Sequence, residues 1–380
     1  MTTYIEPIKG FRDFTGEDAK KRVEIRKILV DTFEKYGFEP VEAPLVEQEE
    51  FVKGDNASDE AVSDIFRLQD KGQRKLALRY EHTFQLKRLM NNKKLPYKRY
   101  AIGEVFRDEP ISANRLRQFV QCDVDTVGAT VKEEAEILAV VKDVMEALGI
   151  GFTIYVNNRK LLNEILEKEN IEKMDWISVI KIIDKLDKLD EDEIFNELRG
   201  FNAQNLLKIF KNQEKYFEKY SAYQEIKELK KYCKYYDVEV KFSPSLARGL
   251  SYYNGTVFEV KTKEMRETIT AGGSYMFNEV QCTGISFGLD RLMSISKIKT
   301  QKDSFVVVSL DQDEKAMELT QKLRKKGNSV TIMYGKPSKS LEYANSYGIK
   351  KAIFVGSDEV KNKKFKVKNM ETGKESELKI

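Results

Sequence analysis

Residues 97–128 read YKRYAIGEVFRDEPISANRLRQFVQCDVDTVG. Alternation with a period of two predicts strands over 99–107 and 116–127, joined by a polar loop over 108–115. In the second strand Arg117, Phe119, Gln121, Asp123 and Asp125 share one face, while Leu116, Val120, Cys122 and Val124 lie mostly on the other. A hairpin with one apolar and one polar face suits an antiparallel sheet packed on a single side, and such a polar face is ordinarily just solvated. Here its chemistry is more specific. Arg107, Arg115 and Arg117 bracket the loop with planar forks suited to phosphate oxygens. Glu109 follows Arg107 by two residues, and Phe119 places a flat ring among the acids. Cations for phosphates, an aromatic ring for a base and acids for a donor-rich group describe a site for a nucleotide beside an amino acid.

Composition narrows the chemistry further. A chain of 380 residues has room for two or three domains at ~100–200 residues each. With 41% hydrophobic and 34% charged residues it reads as an ordinary water-soluble protein. It has no apolar run near the ~20 residues of a membrane span, and MTTYIEPIKGFRDF lacks a secretory layout, so a cytoplasmic location is expected. A net charge of +4 is neutral evidence on nucleic-acid binding. Cys122, Cys233 and Cys282 are scattered and form neither a disulfide framework nor a zinc spacing. His82 is the only histidine, so any Ser-His-Asp or Cys-His mechanism would run through it, and multi-histidine metal sites are excluded. Neither a P-loop nor a dinucleotide fingerprint is present. If ATP is used, arginines must hold it.

Away from the hairpin, Thr15 to Asp18 reads as a capping box opening a helix with an apolar stripe of Ile25, Ile28, Leu29, Phe33 and Tyr36, stopped at Gly37. The segment GFEPVEAPLVEQEEF is extended and contains Pro44, as an edge strand would. A hairpin is predicted around Asp70 to Gly72, then a helical stripe of Phe84, Leu86 and Leu89 that Glu81 and Thr83 could cap. Thr130 and Glu133 form a second capping box before Ile137, Leu138, Val141, Val144, Met145 and Leu148. From about 157 to 236 the chain is rich in Lys, Glu, Leu and Ile and helical in period, an inserted module with solvated charged faces. In FSPSLARGLSYYNGTVFEV, Asn254-Gly255 predicts a hairpin turn, with Tyr252 and Tyr253 on opposite faces of the strand before it. Thr270 to Tyr275 offers bare backbone to a ligand. GISFGLDRL predicts a strand, Gly288, and a helix bearing Arg291 near its start. Residues 303–380 alternate strands and helices as a small α/β sheet, with Met317, Leu319 and Leu323 on one helix stripe. That region carries 16 Lys and Arg against 11 Asp and Glu, a slight basic lean.

FRDE, a loop and RLRQFVQCDVD resemble motif 2 of class II aminoacyl-tRNA synthetases, and in detail the histidyl-tRNA synthetase family. RGL.YY.GTVFE is similar to that family's histidine-specific signature, with Ser251 where aspartate is usual. GISFGLDRL resembles motif 3, GFEPVEAPLVEQEEF motif 1, and GIKKAIFVG the anticodon-binding domain. Ser274 and Met276 depart from the usual GGRYD. The resemblance covers nearly the whole chain and is weakest over the helical stretch.

It implies an α+β fold: a catalytic domain on an antiparallel sheet flanked by helices (1–156 and 239–299), a helical insertion (157–238) lying over the tRNA acceptor end, and a C-terminal α/β anticodon-binding domain (300–380). It implies ATP and Mg2+, the partners L-histidine and tRNA(His), and a homodimer formed through motif 1. Catalysis would rest on Arg248 and Arg107. ATP would be held by Arg107, Glu109, Arg115, Phe119 and Arg291. Histidine would be held by Glu81, Thr83, Arg107, Gln121, Asp125, Arg248, Tyr252, Tyr253 and Tyr275, with His82 at the rim or structural. No side-chain metal ligands are predicted. Three other readings stand beside this one: a paralogue without aminoacylation activity, such as an ATP phosphoribosyltransferase regulatory subunit; a synthetase for another amino acid; and a non-catalytic RNA-binding module.

Overall fold

The hairpin read from 97–128 lies inside an eight-stranded sheet, and the sheet is built around it. The computed structural model describes residues 5–54, 60–112, 115–186, 189–247, 252–298 and 304–378. The chain divides into two compact units, Met1–Ile298 and Lys299–Ile380.

The first unit opens with α1 (Gly16–Lys35), which buries Ile25, Leu29 and Phe33 as its stripe requires. Thr15 stands at the N-cap, but its side chain makes no capping bond. The expected capping box fails because the Asp18 carboxylate is taken by Arg12 at 2.8 Å. The extended segment that follows splits between two sheets. β1 (Glu39–Pro40) joins the large sheet and β2 (Val46–Gln48) joins a three-stranded one, with Pro44 in neither. Two short helices, α2 (Glu49–Lys53) and α3 (Glu60–Ser63), lead to β3 (Arg67–Gln69) and β4 (Lys75–Leu78), the predicted hairpin. The helix expected after it shrinks to α4 (Leu86–Leu89), capped by neither Glu81 nor Thr83 at its N-cap position, which is Gln85.

The central hairpin is β5 (Tyr97–Phe106) and β6 (Gln118–Val127), paired in register from Tyr97↔Val127 to Phe106↔Gln118. Leu116 and Arg117 lie outside the strand, although Arg107 still donates its amide to the Arg117 carbonyl at 2.9 Å. α5 (Val131–Ala147) begins with both halves of the Thr130–Glu133 capping box formed. Its stripe of Ile137, Leu138, Val141, Val144 and Met145 is fully buried, each side chain contributing roughly 1.5–3 kcal/mol of apolar burial. β7 (Thr153–Asn158) enters the helical stretch: α6 (Arg159–Lys168), α7 (Trp176–Ile183), α8 (Glu191–Arg199), α9 (Asn205–Phe210) and α10 (Tyr223–Tyr235). Their buried Leu and Ile side chains belong to the same apolar cluster as α1, α5 and the back of the sheet. β8 (Val240–Phe242) returns parallel to β7.

β9 (Tyr253–Lys261), β10 (Thr270–Phe277) and β11 (Val280–Gly288) complete the sheet in the order β1-β5-β6-β11-β10-β9-β7-β8, and α11 (Leu289–Ile295) follows Gly288 as predicted. Asn254-Gly255 does not turn the chain. It lies within β9, at a bulge where Asn254, Gly255 and Thr256 face the single residue Ser274 of β10. An Asn-Gly pair tolerates irregular backbone, and the sheet uses that tolerance to bend a strand.

The second unit is a five-stranded sheet in the order β13-β12-β14-β15-β16, made of β12 (Ser304–Ser309), β13 (Ser329–Tyr334), β14 (Lys351–Val355), β15 (Lys366–Asn369) and β16 (Glu375–Glu377). The β12–β13 and β12–β14 pairs are parallel. α12 (Asp313–Lys325), α13 (Pro337–Ser346) and α14 (Ser357–Asn362) connect the strands. Leu319 and Leu323 of α12 are buried, but Met317 is 49% exposed; Ala316 and Thr320 complete the inner face instead. No helix among the described residues is long and apolar enough to cross a membrane.

Candidate active site

The sheet of the first unit has two unlike faces. On one side Tyr100, Val120, Cys122, Val124, Ile285 and Phe287 pack into the helix-covered core. Side chains of opposite parity point the other way, and there the register aligns Arg99 with Asp125 and Gly284, Ala101 with Asp123 and Ser286, and Gly103 with Gln121 and Gly288. Charged and polar residues thus stand beside small ones across three adjacent strands. Gly284 has no room for more: a Cβ there would sit 2.0 Å from the Asp125 carboxylate.

A buried polar network occupies this face. Arg99, 1% exposed, lies 2.7 Å from Asp125 as an ion pair and donates to the His82 carbonyl at 3.1 Å. The Tyr275 hydroxyl donates to the other Asp125 oxygen. Gln121 donates its amide to the Ser286 hydroxyl at 3.0 Å, and Ser286 donates in turn to Asp123. Burial pushes the Asp123 carboxyl up to about 7, the Arg99 charge pulling the other way. Burial does the same to Glu81, also to about 7, with Arg107 opposing it and Asp123 and Asp125 adding to it. Arg99 keeps its proton more tightly than usual: burial opposes its charge, but Asp125 and Asp123 outweigh that.

His82 is 2% exposed. Its Nε2 lies 3.4 Å from the Gly103 carbonyl. Burial, followed by the nearby Arg79 and Arg99 charges, drives its value down to about 3. At neutral pH the imidazole is therefore uncharged and wedged against the sheet. Arg79, a buried neighbour, donates to the Ala43 and Glu104 carbonyls at 2.9 and 2.8 Å, tying the chain around Pro44 to β5.

At the open end of the hairpin Arg107 donates to the Tyr80 carbonyl at 3.1 Å and lies 5.3 Å from the Phe119 ring centroid. Glu109 and Arg115 form an ion pair at 3.1 Å, with Arg115 about half exposed. Arg117 closes the loop on itself through the Asp108 carboxylate and the Glu109 carbonyl. The N-terminal segment holds this loop from outside: the Gly10 carbonyl accepts the Arg117 amide at 2.8 Å. Arg291 folds its side chain over Gly288, on the same face as Gln121, and donates to the Thr268 carbonyl at 2.6 Å.

Tyr252 and Tyr253 do not point to opposite faces; their rings meet at 4.7 Å, and Tyr252 lies 5.6 Å from the Tyr275 ring. Tyr252 precedes β9, so strand alternation does not govern it. Nor is the backbone at 270–275 left bare for a ligand. The Tyr253 ring packs onto Gly273, 2.9 Å from where a Cβ would stand, and Phe258 onto Gly272. These glycines admit the protein's own aromatic rings. Arg248 and Ser251 lie outside the described residues.

One face thus brings together Glu81, Arg107, Phe119, Gln121, Asp125, Tyr253, Tyr275 and Arg291, with Glu109 and Arg115 on the adjoining loop. The sequence reading missed Arg99 and Arg79. Arg99 could have been found: period-two alternation puts it on the face of Ala101 and Gly103, and hairpin register sets it opposite Asp125.

Comparison with known proteins bears on this arrangement. A family model for histidyl-tRNA synthetase matches residues 10–292, and one for an anticodon binding domain matches 304–380. Histidine--tRNA ligase 2 of Shouchella clausii (strain KSM-K16) is 32% identical, covering 98% of this chain and 97% of its own. Histidine--tRNA ligase 1 of Bacillus cereus is 33% identical over the same shares of the two chains. The crystal structure of histidyl-tRNA synthetase from Nostoc sp. PCC 7120 superposes with a TM-score of 0.86 at 25% identity, covering 100% of this chain and 97% of that one. An ATP phosphoribosyltransferase regulatory subunit/histidyl-tRNA synthetase from Bacillus halodurans C shares the fold, with a TM-score of 0.76 at 20% identity over 91% of this chain and 97% of that one. With matched family regions spanning both units and relatives aligned over almost its full length, the chain belongs to the histidyl-tRNA synthetase family of aminoacyl-tRNA synthetases.

Proposed function

We propose that the protein is a histidine–tRNA ligase: it joins L-histidine to ATP as histidyl-adenylate, releasing pyrophosphate, and transfers the histidyl group to the terminal adenosine of tRNA(His). The observation that carries this reading is the shared sheet face, where buried acids on the inner side adjoin arginines and an aromatic ring at the hairpin's open end. In the first step the substrate carboxylate is already an anion, so no deprotonating base is needed. What opposes reaction is repulsion between that carboxylate and the polyphosphate, together with charge building at phosphorus. Fixed cations aimed at the reacting atoms relieve both.

Arg107 is assigned to the α-phosphate and the substrate carboxylate, and Arg248 to the transition state from the other side. Phe119 stacks on adenine, and Arg107 beside that ring sets phosphate and base next to each other. Glu109 reads the adenine amino group, while Arg115 and Arg291 take the outer phosphates. The Glu109–Arg115 pair must open for this, which is inexpensive, since an exposed pair contributes only ~0.2–1 kcal/mol. Mg2+ bound to the nucleotide would supply further positive charge at the phosphates. Among the described residues no group of three or more His, Cys, Asp and Glu side chains could hold an ion alone, and we assign the ion no ligand set in the protein.

Glu81, Thr83 and Gln121 receive the α-ammonium. Without substrate the Glu81 carboxyl is half protonated near pH 7, and the arriving cation favours its ionised form. Asp125, Tyr253 and Tyr275 read the imidazole, and Tyr252 lines the pocket. An isostere lacking either ring nitrogen would leave these polar groups unpaired and so be rejected. His82, neutral and bonded to the sheet, acts as a structural residue of the pocket wall.

The same proposal places a helical insertion at 157–238 between catalytic segments 1–156 and 239–299, a cytoplasmic enzyme, and a homodimer formed through the 37–51 region. Leu45, Val46 and Leu68, each about 40% exposed on the three-stranded sheet and its approach, are apolar residues available for that contact. Amino-acid-dependent exchange of pyrophosphate into ATP, run over a panel of amino acids, tests the function. Exchange with histidine alone, followed by charging of tRNA(His), is expected; exchange with another amino acid or with none overturns it.

A further inference from the structure

We infer that Glu134 and Ser274 are positioning residues for the Tyr275–Asp125 pair, acting on it from the layer behind the sheet. The inference rests on the reading above, in which that pair recognises the histidine imidazole.

Glu134 belongs to α5, yet its carboxylate is 8% exposed and faces the sheet rather than solvent. One of its oxygens accepts the Thr256 hydroxyl of β9 at 2.6 Å, and the other accepts the Ser274 hydroxyl of β10. A single helix carboxylate therefore bridges two neighbouring strands. It does so at the bulge, where the ladder passes from Gly273↔Val257 to Tyr275↔Tyr253 and Ser274 faces three residues of β9. There the backbone pairing is locally interrupted, and side chains must hold the two strands in place.

The two faces are coupled through one peptide link. Ser274 is opposite Thr283 on the core side, and Tyr275 is opposite Cys282 on the site side. Holding Ser274 fixes where Tyr275 leaves the strand. The Tyr275 hydroxyl then donates to Asp125, which Arg99 grips from the far side. Gly255 makes the arrangement possible: a Cβ there would stand 3.2 Å from the Ser274 Cβ, so its bare backbone lets the serine seat against β9. Gln281 braces the outer edge, exchanging amide bonds with Asn254 at 3.0 and 3.1 Å and donating to the Tyr275 carbonyl at 3.0 Å. Ser274, a departure from the usual GGRYD, is thus the residue through which α5 reaches the site.

The experiment is histidine-dependent pyrophosphate exchange on the full chain, with KM for histidine, KM for ATP and kcat per titrated site measured separately. Ser274→Ala is expected to raise KM for histidine about five- to tenfold, the scale of one net hydrogen bond, and to leave KM for ATP within about twofold. Thr256→Val, which removes the other bond, is expected to do the same and serves if the first variant fails to fold. Glu134→Gln can still bond both hydroxyls and is expected to stay near the parent, as is Ser274→Thr, which has the bare Gly255 beside it. A merely structural role would lower the titratable fraction or shift both KM values together; either result overturns the inference. Tyr275→Phe is the control. If it raises KM for histidine while Ser274→Ala and Thr256→Val do not, the positioning role fails alone. If Tyr275→Phe has no effect, the recognition reading fails and this inference fails with it.

Discussion

The Arg99–Asp125 pair can be tested by removing its charges one at a time. Both side chains are almost fully buried, 1% and 4% exposed, with nitrogen and oxygen 2.7 Å apart. Opposite charges roughly 4 Å apart attract by about 4 kcal/mol at an effective dielectric near 20, and breaking a buried pair by deleting one partner typically costs about 3–5 kcal/mol. Asp125→Asn keeps an oxygen for the Tyr275 hydroxyl but leaves Arg99 facing a neutral group. Asp123 also attracts Arg99 and softens the loss, so about 3 kcal/mol is expected. Arg99→Met strands Asp125, whose value burial already raises, and its deficit should shrink as pH falls and the carboxyl protonates. The double variant removes both charges and should lose at least 2 kcal/mol less than the sum of the singles, roughly the coupling expected of such a pair. Trp176, the only tryptophan, lies in α7 of the first unit. Its fluorescence during urea unfolding therefore reports on this unit, and a loss of 3 kcal/mol should move the midpoint by about 1 M. Singles that each lose under about 1 kcal/mol, or a strictly additive double, would refute the argument that this pair organises the site. Arg99→Met should also loosen the 80–85 segment, because Arg99 donates to the His82 carbonyl, and should raise KM for histidine accordingly.

Glu81 and Asp123 have folded values near 7, above their ordinary 4.5 and 3.8. Their contribution to stability is fully present below the unfolded values and is lost as pH rises through about 7. His82 works in the opposite sense: with a folded value near 3 against 6.5 unfolded, its contribution is present above 6.5 and is lost as pH falls below it. The acids' loss therefore runs from about pH 4.5 to about pH 7, offset in part by the rising histidine contribution up to about pH 6.5, and is complete by pH ~8. Glu81→Gln should flatten the fall in substrate-free melting temperature across that range and gain up to about 3 kcal/mol over the parent at pH 8; an unchanged profile would show that Glu81 does not carry the burial penalty. Gly10→Ala should raise KM for ATP several-fold while sparing KM for histidine. Its φ of +91° disfavours a side chain, and a Cβ would stand 2.8 Å from the side chain of Arg117, which closes the loop proposed to hold ATP; equal shifts in both KM values would remove the N-terminal segment from that role.

Which parts could be read from the sequence follows from the range of the interactions involved. The α5 stripe and the Thr130 capping box depend on residues three and four apart, and both formed as read. Thr15 carried the same kind of local signal and failed, because Arg12 competes for Asp18 and a pattern scan has no term for competition. Asn254-Gly255 shows the limit more sharply. The pair announces backbone freedom, but whether that freedom makes a turn or a bulge depends on Ser274, twenty residues away. The glycines at 272 and 273 announced close approach correctly, but the approaching group, read as a ligand, is the protein's own Phe258 and Tyr253.

The site was legible to the same extent and for the same reason. Strand alternation placed Gln121, Asp123 and Asp125 on one face, and that face is where they lie. Alternation says nothing of strength, and the strongest electrostatic fact of the face is the buried guanidinium across the hairpin from Asp125. A charge so deep is tolerated only beside its counter-charge, so strand register and charge have to be read together. Applied to the whole face, that requirement sets three buried acids, Glu81, Asp123 and Asp125, beside two buried guanidiniums, Arg99 and Arg79, with Arg107 at the margin. Burial holds Glu81 and Asp123 partly protonated near neutral pH, and a substrate ammonium beside them would favour their ionised forms. On the proposed reading, the free protein keeps its deepest acids partly neutral, and the ammonium of an arriving amino acid would ionise them.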